Sequence, residues 1–379
     1  LNAVVDRYLN TDTEIFELSA LATGSSNFDG NIGTYPATYF GEGHLASNDP
    51  VWAREYDRLT AIFFRTMDTA GLPVFSSLIN RAKSIGIFAW GSIRMAAWYM
   101  PVSGQTYNPF NGDIWSNHPE WRNITRSGSR GYQMSLAFPE VQDMIIGKIE
   151  KMVRLGCEGI NMDFCRYPYV LDYETPLITG FMQLYPEVDP RTLPGDDLRW
   201  IAYRQSIMNN FFEDMRTKLD TLETELGRSI EISIRIPVSS YEIYGFDPQY
   251  WIDNGLVDIL IPHCLGNEKD FDIQPWVEMV DGTNVMLYPG VTSDKKVIGE
   301  TELTDAAIAA GMVPGQVIKM SADDYRRRVR QRNDADGGLY FNDWSATKSI
   351  NLLGDKEYLK QWSYFEDVYN QPRVNVTIP

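Results

Sequence analysis

The sequence predicts an α/β fold: a (β/α)8 TIM barrel with long βα-loop insertions. Three observations predict it. Strand-like and helix-like segments alternate along the 379 residues. The strand-like segments are near-continuous apolar runs, as expected of parallel strands buried on both faces. Eight such segments can be placed, most followed by a helix, which is the pattern of a parallel sheet closed on itself. A doubly wound open sheet is the alternative. It would usually show a Gly-rich phosphate loop after its first strand, and none is there.

Taken in order, EIFELSA (Glu14 to Ala20) reads as the first strand. Residues 52 to 84 carry helical spacing. SIGIFAWGS (Ser84 to Ser92) is the second strand and GYQMSLAF (Gly131 to Phe138) the third. Pro139 to Gly156 reads as a helix, with Pro at its start, acids in its first turn and Gly at its end. GINMDF is the fourth strand, reached at Gly159. A long helix spans Asp197 to Leu226, and EISIRIPVS (Glu231 to Ser239) is the fifth strand. A short helix, Pro248 to Asn254, leads to the sixth, VDILIPH (Val257 to His263). A helix near 272 to 281 precedes the seventh, NVMLYPG (Asn284 to Gly290). Thr304 to Gly311 and Ala322 to Gln331 read as helical. GGLYFNDW (Gly337 to Trp344) is the eighth strand, and Lys356 to Tyr369 a closing helix. The insertions after strands 1, 2 and 4 run to roughly 30 to 40 residues against a usual 2 to 6, and loops of that length build sites. No internal repeat or linker-like stretch appears, so residues 1–379 are expected to form a single catalytic domain.

Composition narrows the partners. The net charge is −17, which argues against nucleic acid, because neutralising phosphates takes clustered Lys and Arg. The one basic run, Tyr325 to Arg332, reads as a solvated helix face. Three cysteines (Cys157, Cys165, Cys264) and three histidines (His44, His118, His263) give neither a disulfide framework nor a metal-ligand spacing, so no metal or other cofactor is expected. No apolar run approaches the roughly 18 residues of a membrane span. Aromatic residues make up 13%, more than core filling requires, so some are expected to line a groove for flat, weakly charged ligands such as sugar rings. The chain begins at Leu1 without a visible signal peptide, which fits removal of a leader before this numbering begins.

In a barrel of this kind the chemistry sits at the C-terminal ends of the strands. Strand 4 ends in Asp163. A strand-end Asp also serves simply to cap loop amides, but the other strand ends carry polar and aromatic groups too. Strand 2 offers Trp90, strand 5 Arg235 with Glu242 and Asp247 in the next loop, strand 6 His263, and strand 8 Asn342, Asp343 and Trp344.

Four elements within residues 86–168 carry a family resemblance. They are GIFAWG at Gly86 to Gly91, HPEW at His118 to Trp121, FPEVQDMI at Phe138 to Ile145 and EGINMDFCRYP at Glu158 to Pro168. In order and spacing they resemble the glycosyl-hydrolase-like family 10 proteins, bacterial (β/α)8 barrels of the glycoside hydrolase type. The chain departs from that pattern at Glu158, where the family has Asp, at Phe164, where some relatives carry a second acid, and at Cys165.

The resemblance implies hydrolysis of a glycosidic bond in a poly- or oligosaccharide, with Asp163 as a catalytic carboxylate. Such chemistry needs a second carboxyl group on the other side of the bond. Glu242 is the first choice for it, ahead of Asp247 and Asp343; Asp247 also fits the cap of the short helix that follows, and Asp343 also suits a sugar hydroxyl. Arg166 would hold Asp163 ionised or bind substrate. Trp90, Trp98, Tyr167 and Trp344 are candidate stacking rings, and Arg235 and His263 candidate clamps. A carbohydrate-binding pseudo-enzyme on the same barrel is the competing reading, because a fold does not fix a function. A lyase or isomerase is a distant third. A secreted or periplasmic location is expected because large glycans stay outside cells.

Overall fold

The computed structural model describes residues 2–11, 13–20, 70–98, 111–165, 168–264, 271–292, 295–297, 311–319 and 338–342, with a few single positions between them. The chain opens with α1 (Asn2–Asp6) and β1 (Ile15–Ala20). Helix α2 (Val74–Ser84) leads to β2 (Phe88–Arg94). A short α3 (Gly112–Asn117) and the strands β3 (Arg122–Ile124) and β4 (Arg130–Met134) come next. Then follow α4 (Pro139–Arg154), β5 (Gly159–Asp163), α5 (Thr175–Leu184), α6 (Leu198–Leu226) and β6 (Glu231–Pro237). After α7 (Pro248–Asp253) and β7 (Ile259–His263) come α8 (Gln274–Val280), β8 (Met286–Leu287) and β9 (Gly290–Thr292). The last described strands are β10 (Lys295–Val297), β11 (Val317–Lys319) and β12 (Tyr340–Asn342). The expected helices from Ala322 onward lie outside the described residues.

The helix ends are written in local chemistry. Pro139 starts α4 where its missing N–H costs nothing, and the buried face repeats at Val141, Ile145, Ile149, Met152 and Val153. Asp197 caps α6 by accepting a hydrogen bond from Arg199 N at 3.0 Å, and Gly227, at φ 65°, ends it in the left-handed conformation.

Six strands run parallel in the order β1-β2-β5-β6-β7-β8, and β9 pairs in parallel with β12. The expected third strand is corrected here. Only its first half, Gly131 to Met134, is strand, and it lies in β4, which pairs antiparallel with β3 in a separate ribbon, so β2 hydrogen-bonds directly to β5. The ribbon instead supports the loop after β5: Leu136 N donates to Val170 O at 2.9 Å, and Tyr173 N donates to Ile124 O at 2.9 Å.

The sheet curls. Strand β9 follows β8 after two residues, so counting the two as one strand puts β12 three steps from β6, which in a flat sheet means about 14 Å. Yet the Arg235 guanidinium on β6 lies 5.0 Å from the centre of the Tyr340 ring on β12. The same Tyr340 hydrogen-bonds Glu17 on β1, so side chains of the last strand meet those of the first. Among the described residues no backbone ladder joins β12 to β1.

Strand residues alternate between two surroundings, as the period of two requires. Ala89, Ile93, Ile160, Met162, Ile232, Ile234, Ile236, Leu260 and Leu287 pack outward in one apolar cluster with the helices. Burying each large aliphatic chain there contributes about 1.5–3 kcal/mol. The alternate positions face the concave side, and it is they that build the site.

Candidate active site

The concave side is layered. At the N-terminal ends of the strands, Trp90, Ile259 and Ile261 cluster with Ile15, Tyr288 and Tyr340. The Trp90 ring lies over Gly159; a Cβ at that glycine would stand 2.4 Å from Cε2 of the indole. Above this floor a hydrogen-bonded row crosses three strands. Ser92 Oγ donates to Asn161 Oδ1 at 3.0 Å, and Asn161 Nδ2 donates to Ser233 Oγ at 2.8 Å.

One further step along the same strands brings together Asp163, Arg235 and His263. Arg94, Asp163 and Arg235 are register partners on β2, β5 and β6. Asp163 Oδ2 accepts from Arg235 Nη1 at 2.9 Å, and its Oδ1 accepts from Cys165 N at 2.8 Å. Arg235 Nε donates to His263 Nδ1 at 2.7 Å. All three residues are buried, at 3%, 3% and 0% exposure. Burial works against the charge on Arg235, but Asp163, Tyr340, Cys165 and Glu17 outweigh it and raise its pKa. Gly290 on β9 leaves room for the imidazole, since a Cβ there would meet His263 Cγ at 2.3 Å.

The sequence reading missed Glu17. It stands on the inward face of β1, in the electrostatic field of Arg235 and Asp163 and in hydrogen bond with Tyr340. The residue is half-buried, but its Oε2 is sealed from solvent and has no hydrogen-bond partner among the described residues. Burial pushes the Glu17 carboxyl up to about 8; Arg235 pulls it down, Asp163 pushes it up again, and the bond from Tyr340 pulls it down. Burial also raises the Tyr340 hydroxyl well above its usual value. The signal for Glu17 was present in the sequence: Glu17 and Ser19 alternate on β1 as Ser92 and Arg94 do on β2.

The other candidates fall elsewhere. Glu242 is exposed, on a single helical turn (Glu242–Tyr244) after β6, and its neighbour there is Tyr241. Among the described residues no hydrogen bond or ion pair joins it to Asp163, Arg235 or His263. Asp247 caps α7, accepting from Tyr250 N at 3.2 Å. Trp90 and Trp98 are 1% and 2% exposed, so packing replaces the stacking faces expected of them. Arg166, Tyr167, Asp343 and Trp344 lie outside the described residues. Glu158 serves the sheet itself, because its Oε2 accepts from Ala89 N at 3.0 Å and so ties the start of β5 to β2.

A second acidic group anchors the wall above β5. Glu174 is fully buried and accepts from Ile124 N at 3.3 Å and Asp172 N at 3.0 Å. Burial pushes it up to about 7 and Asp172 up to about 6, the latter drawn back by Arg204 and by a bond from Asn123. Near this wall Tyr169 is half exposed and meets Tyr244 edge-on, ring centres 5.1 Å apart. Among the described residues no group of His, Cys, Asp and Glu is placed to hold a metal ion, and no helix is long and apolar enough to cross a membrane.

Comparison with known proteins adds a family. A sequence model described as glycosyl hydrolase-like 10 matches residues 56–303. No curated protein matches in sequence. Solved structures with a similar chain trace include the chitinase ChiW from Paenibacillus sp. FPU-7 at 11% identity and TM-score 0.44, covering 82% of this chain and 37% of that one. A glycoside hydrolase family 18 N-acetylglucosaminidase from Paenibacillus barengoltzii matches at 10% and 0.40, covering 77% and 87%. The glycoside hydrolase domain of PelA from Pseudomonas aeruginosa matches at 10% and 0.37, covering 74% and 86%. The chain thus spans little more than a third of ChiW, and none of these likenesses bears on its substrate or on the role of any residue.

Proposed function

The chain belongs to the glycosyl hydrolase-like 10 family, and from that premise we propose that it is a glycoside hydrolase acting on a poly- or oligosaccharide, with Asp163 as a catalytic carboxylate. One observation carries the reading. Asp163 ends β5 on the concave side of the curled sheet, and both of its oxygens are oriented, one by Cys165 N and one by Arg235. Holding a carboxylate in a fixed direction is what attack on an anomeric carbon, or on a water beside it, requires. Arg235 sets its guanidinium against that group, and His263 fixes the plane of Arg235 through Nε. The transition state gains positive character at the sugar ring, so an anionic Asp163 stabilises it electrostatically.

Residues 1–379 act in this reading as a single catalytic domain. A large glycan substrate places it outside the cytoplasm, secreted or periplasmic. Tyr169 and Tyr244 supply ring faces at the rim in place of the buried Trp90 and Trp98.

A carbohydrate-binding pseudo-enzyme is the second reading. The observation favouring it is that Asp163 is 3% exposed with both oxygens engaged. Turnover of a panel of aryl glycosides and polysaccharides by the wild type and by Asp163→Asn decides between them. Loss of turnover with retained folding supports the hydrolase. Binding of a glycan without turnover in the wild type supports the pseudo-enzyme, and undiminished turnover in Asp163→Asn overturns the role of Asp163.

A further inference from the structure

Resting on the carbohydrate reading above, we infer that Tyr169, braced by Tyr244, is the stacking floor of a rim subsite for an uncharged sugar unit, one that holds the glycan away from the bond being cleaved. Tyr169 follows β5 and Tyr244 follows β6, so both stand at the C-terminal ends of neighbouring parallel strands, the end where a barrel of this kind binds its ligand. Asp163 ends the same β5. The segment from Asp163 to Tyr169 spans at most about 22 Å even if fully extended, so an oligosaccharide of a few units reaches both.

The backbone under Tyr169 is fixed. Val170 N donates to Pro168 O at 2.9 Å, a tight turn with Tyr169 at its apex. Val170 O accepts from Leu136 N at 2.9 Å and from Ser135 Oγ at 3.2 Å, which ties the turn to the chain leaving β4. Pro168, Val170 and Leu171 are buried, whereas Tyr169 between them is 50% exposed. The turn carrying Tyr244 is held as well. Fully buried Phe246 packs against Tyr244, ring centres 6.1 Å apart, and against Phe164 at 4.8 Å. Phe164 follows Asp163, so a line of rings runs from the end of β5 to the rim. Tyr244 then meets Tyr169 with ring planes 89° apart. One ring gives only its edge in such a contact, so Tyr244 leaves at least one face of Tyr169 uncovered. A ring aimed before its ligand arrives loses little freedom on binding, and its negative face suits the C–H groups of a sugar.

Charge selects the occupant. The described residues of the two loops, 168–174 and 238–247, hold Asp172, Glu174, Glu242 and Asp247 but no Lys or Arg. Arg204, the cation beside Asp172, is buried over Trp200. Glu242 is exposed on the same turn as Tyr244 and offers carboxylate oxygens to sugar hydroxyls. A uronate or sulfated sugar meets like charge here, and the whole chain carries −17. The ligand class is therefore a neutral glycan.

The test is electrophoresis through native gels holding a soluble polysaccharide, at low ionic strength, where charge acts most strongly. Hydroxyethyl cellulose, arabinoxylan and glycol chitin are the neutral probes, alginate and polygalacturonate the anionic ones. The wild type is expected to be retarded by at least one neutral polymer and by neither anionic one. Tyr169→Ala is expected to weaken that binding about 10-fold, and Tyr169→Phe, which keeps the ring, to restore most of it. Retardation of the wild type by an anionic polymer overturns the inference, and this arm needs no variant to fold. Equal retardation of the wild type and a folded Tyr169→Ala overturns it too, and leaves the role of Asp163 standing. Chain length gives a second readout. Tyr169→Ala is expected to raise KM more for an oligosaccharide cut from the retarding polymer than for an aryl monoglycoside, and an equal rise on both overturns the subsite. Turnover by a wild type that no polymer retards overturns the subsite and keeps the hydrolase reading. Retardation that depends on Tyr169, without turnover, keeps the subsite while the hydrolase reading fails. With neither retardation nor turnover, the carbohydrate reading fails and the subsite goes with it.

Discussion

Arg235 donates its Nε–H to Nδ1 of His263 across 2.7 Å, and this single bond fixes where the imidazole keeps its proton. A guanidinium has donors and no acceptor, so Nδ1 must present its lone pair. The ring is therefore the neutral Nε2–H form, because an imidazolium would set a donor against a donor. Nitrogen NMR of the ring is expected to show an unprotonated Nδ1 and a protonated Nε2. In Arg235→Met the constraint disappears and the two tautomers mix. A proton found on Nδ1 in the wild type would contradict the geometry.

Arg235 and Asp163 form a buried ion pair, their side chains 3% and 4% exposed. Removing one member leaves the other charged and without its partner, which typically costs about 3–5 kcal/mol. Arg235→Met is expected to lose that much in urea denaturation. Arg235→Met combined with Asp163→Leu is expected to recover much of it, because the double variant buries no lone charge. A double variant less stable than Arg235→Met would show that the pair stabilises the fold beyond offsetting its own desolvation.

How much of this was legible in the sequence depended on which period was read. Helices α4 and α6 were readable to within about two residues, from Pro139 and Asp197 at their starts and Gly156 and Gly227 past their ends. The strands were read as continuous apolar runs, which located their ends and hence Asp163, Arg235 and His263. Read instead at a period of two, Asn161 with Asp163, Ser233 with Arg235, and Ser92 with Arg94 mark one concave face. The same rule applied to EIFELSA singles out Glu17 and Ser19. The pairing of β4 was not legible, because Arg130–Met134 has the composition of a strand and only the direct docking of β2 on β5 excludes it from the main sheet. Trp90 misled for a similar reason. A ring that stacks on a ligand and a ring that covers Gly159 of the next strand look alike until the register is known.

Glu17 makes stability depend on pH with a definite sign. Its carboxyl is raised from 4.5 to about 8 in the folded chain. Below about pH 4.5 both states hold the proton and its effect is absent. Between there and about pH 8 the unfolded chain has lost the proton while the folded chain keeps it, so stability falls as pH rises; above that it levels off. The loss attributable to Glu17 is on the order of a few kcal/mol. Glu174 and Asp172 are raised as well and slope the same way, so the difference between wild type and Glu17→Gln is the measurement. Glu17→Gln is expected to gain on the wild type as pH rises from about 5 to 8. Parallel curves would mean that Glu17 titrates normally.

Gly290 tests the upper layer without touching a charge. Its Cβ would stand 2.3 Å from His263 Cγ and 2.6 Å from Nδ1, too close for the ring to stay where it is. Gly290 sits on β9 in register with Tyr340, so the strand has little freedom to yield. Gly290→Ala is therefore expected to rotate or displace the imidazole, break the bond from Arg235 Nε and cost roughly 1–3 kcal/mol, the usual penalty of overpacking. Gly147, on α4, has no atom within 4 Å of the position a Cβ would take, so Gly147→Ala is the matched control and is expected to be neutral or mildly stabilising. Because the substitution acts through His263, the Nδ1 resonance in Gly290→Ala should move toward that of Arg235→Met. An unchanged resonance together with lost stability would place the strain in the β9–β12 ladder instead, and would separate the packing of this glycine from the geometry of the site.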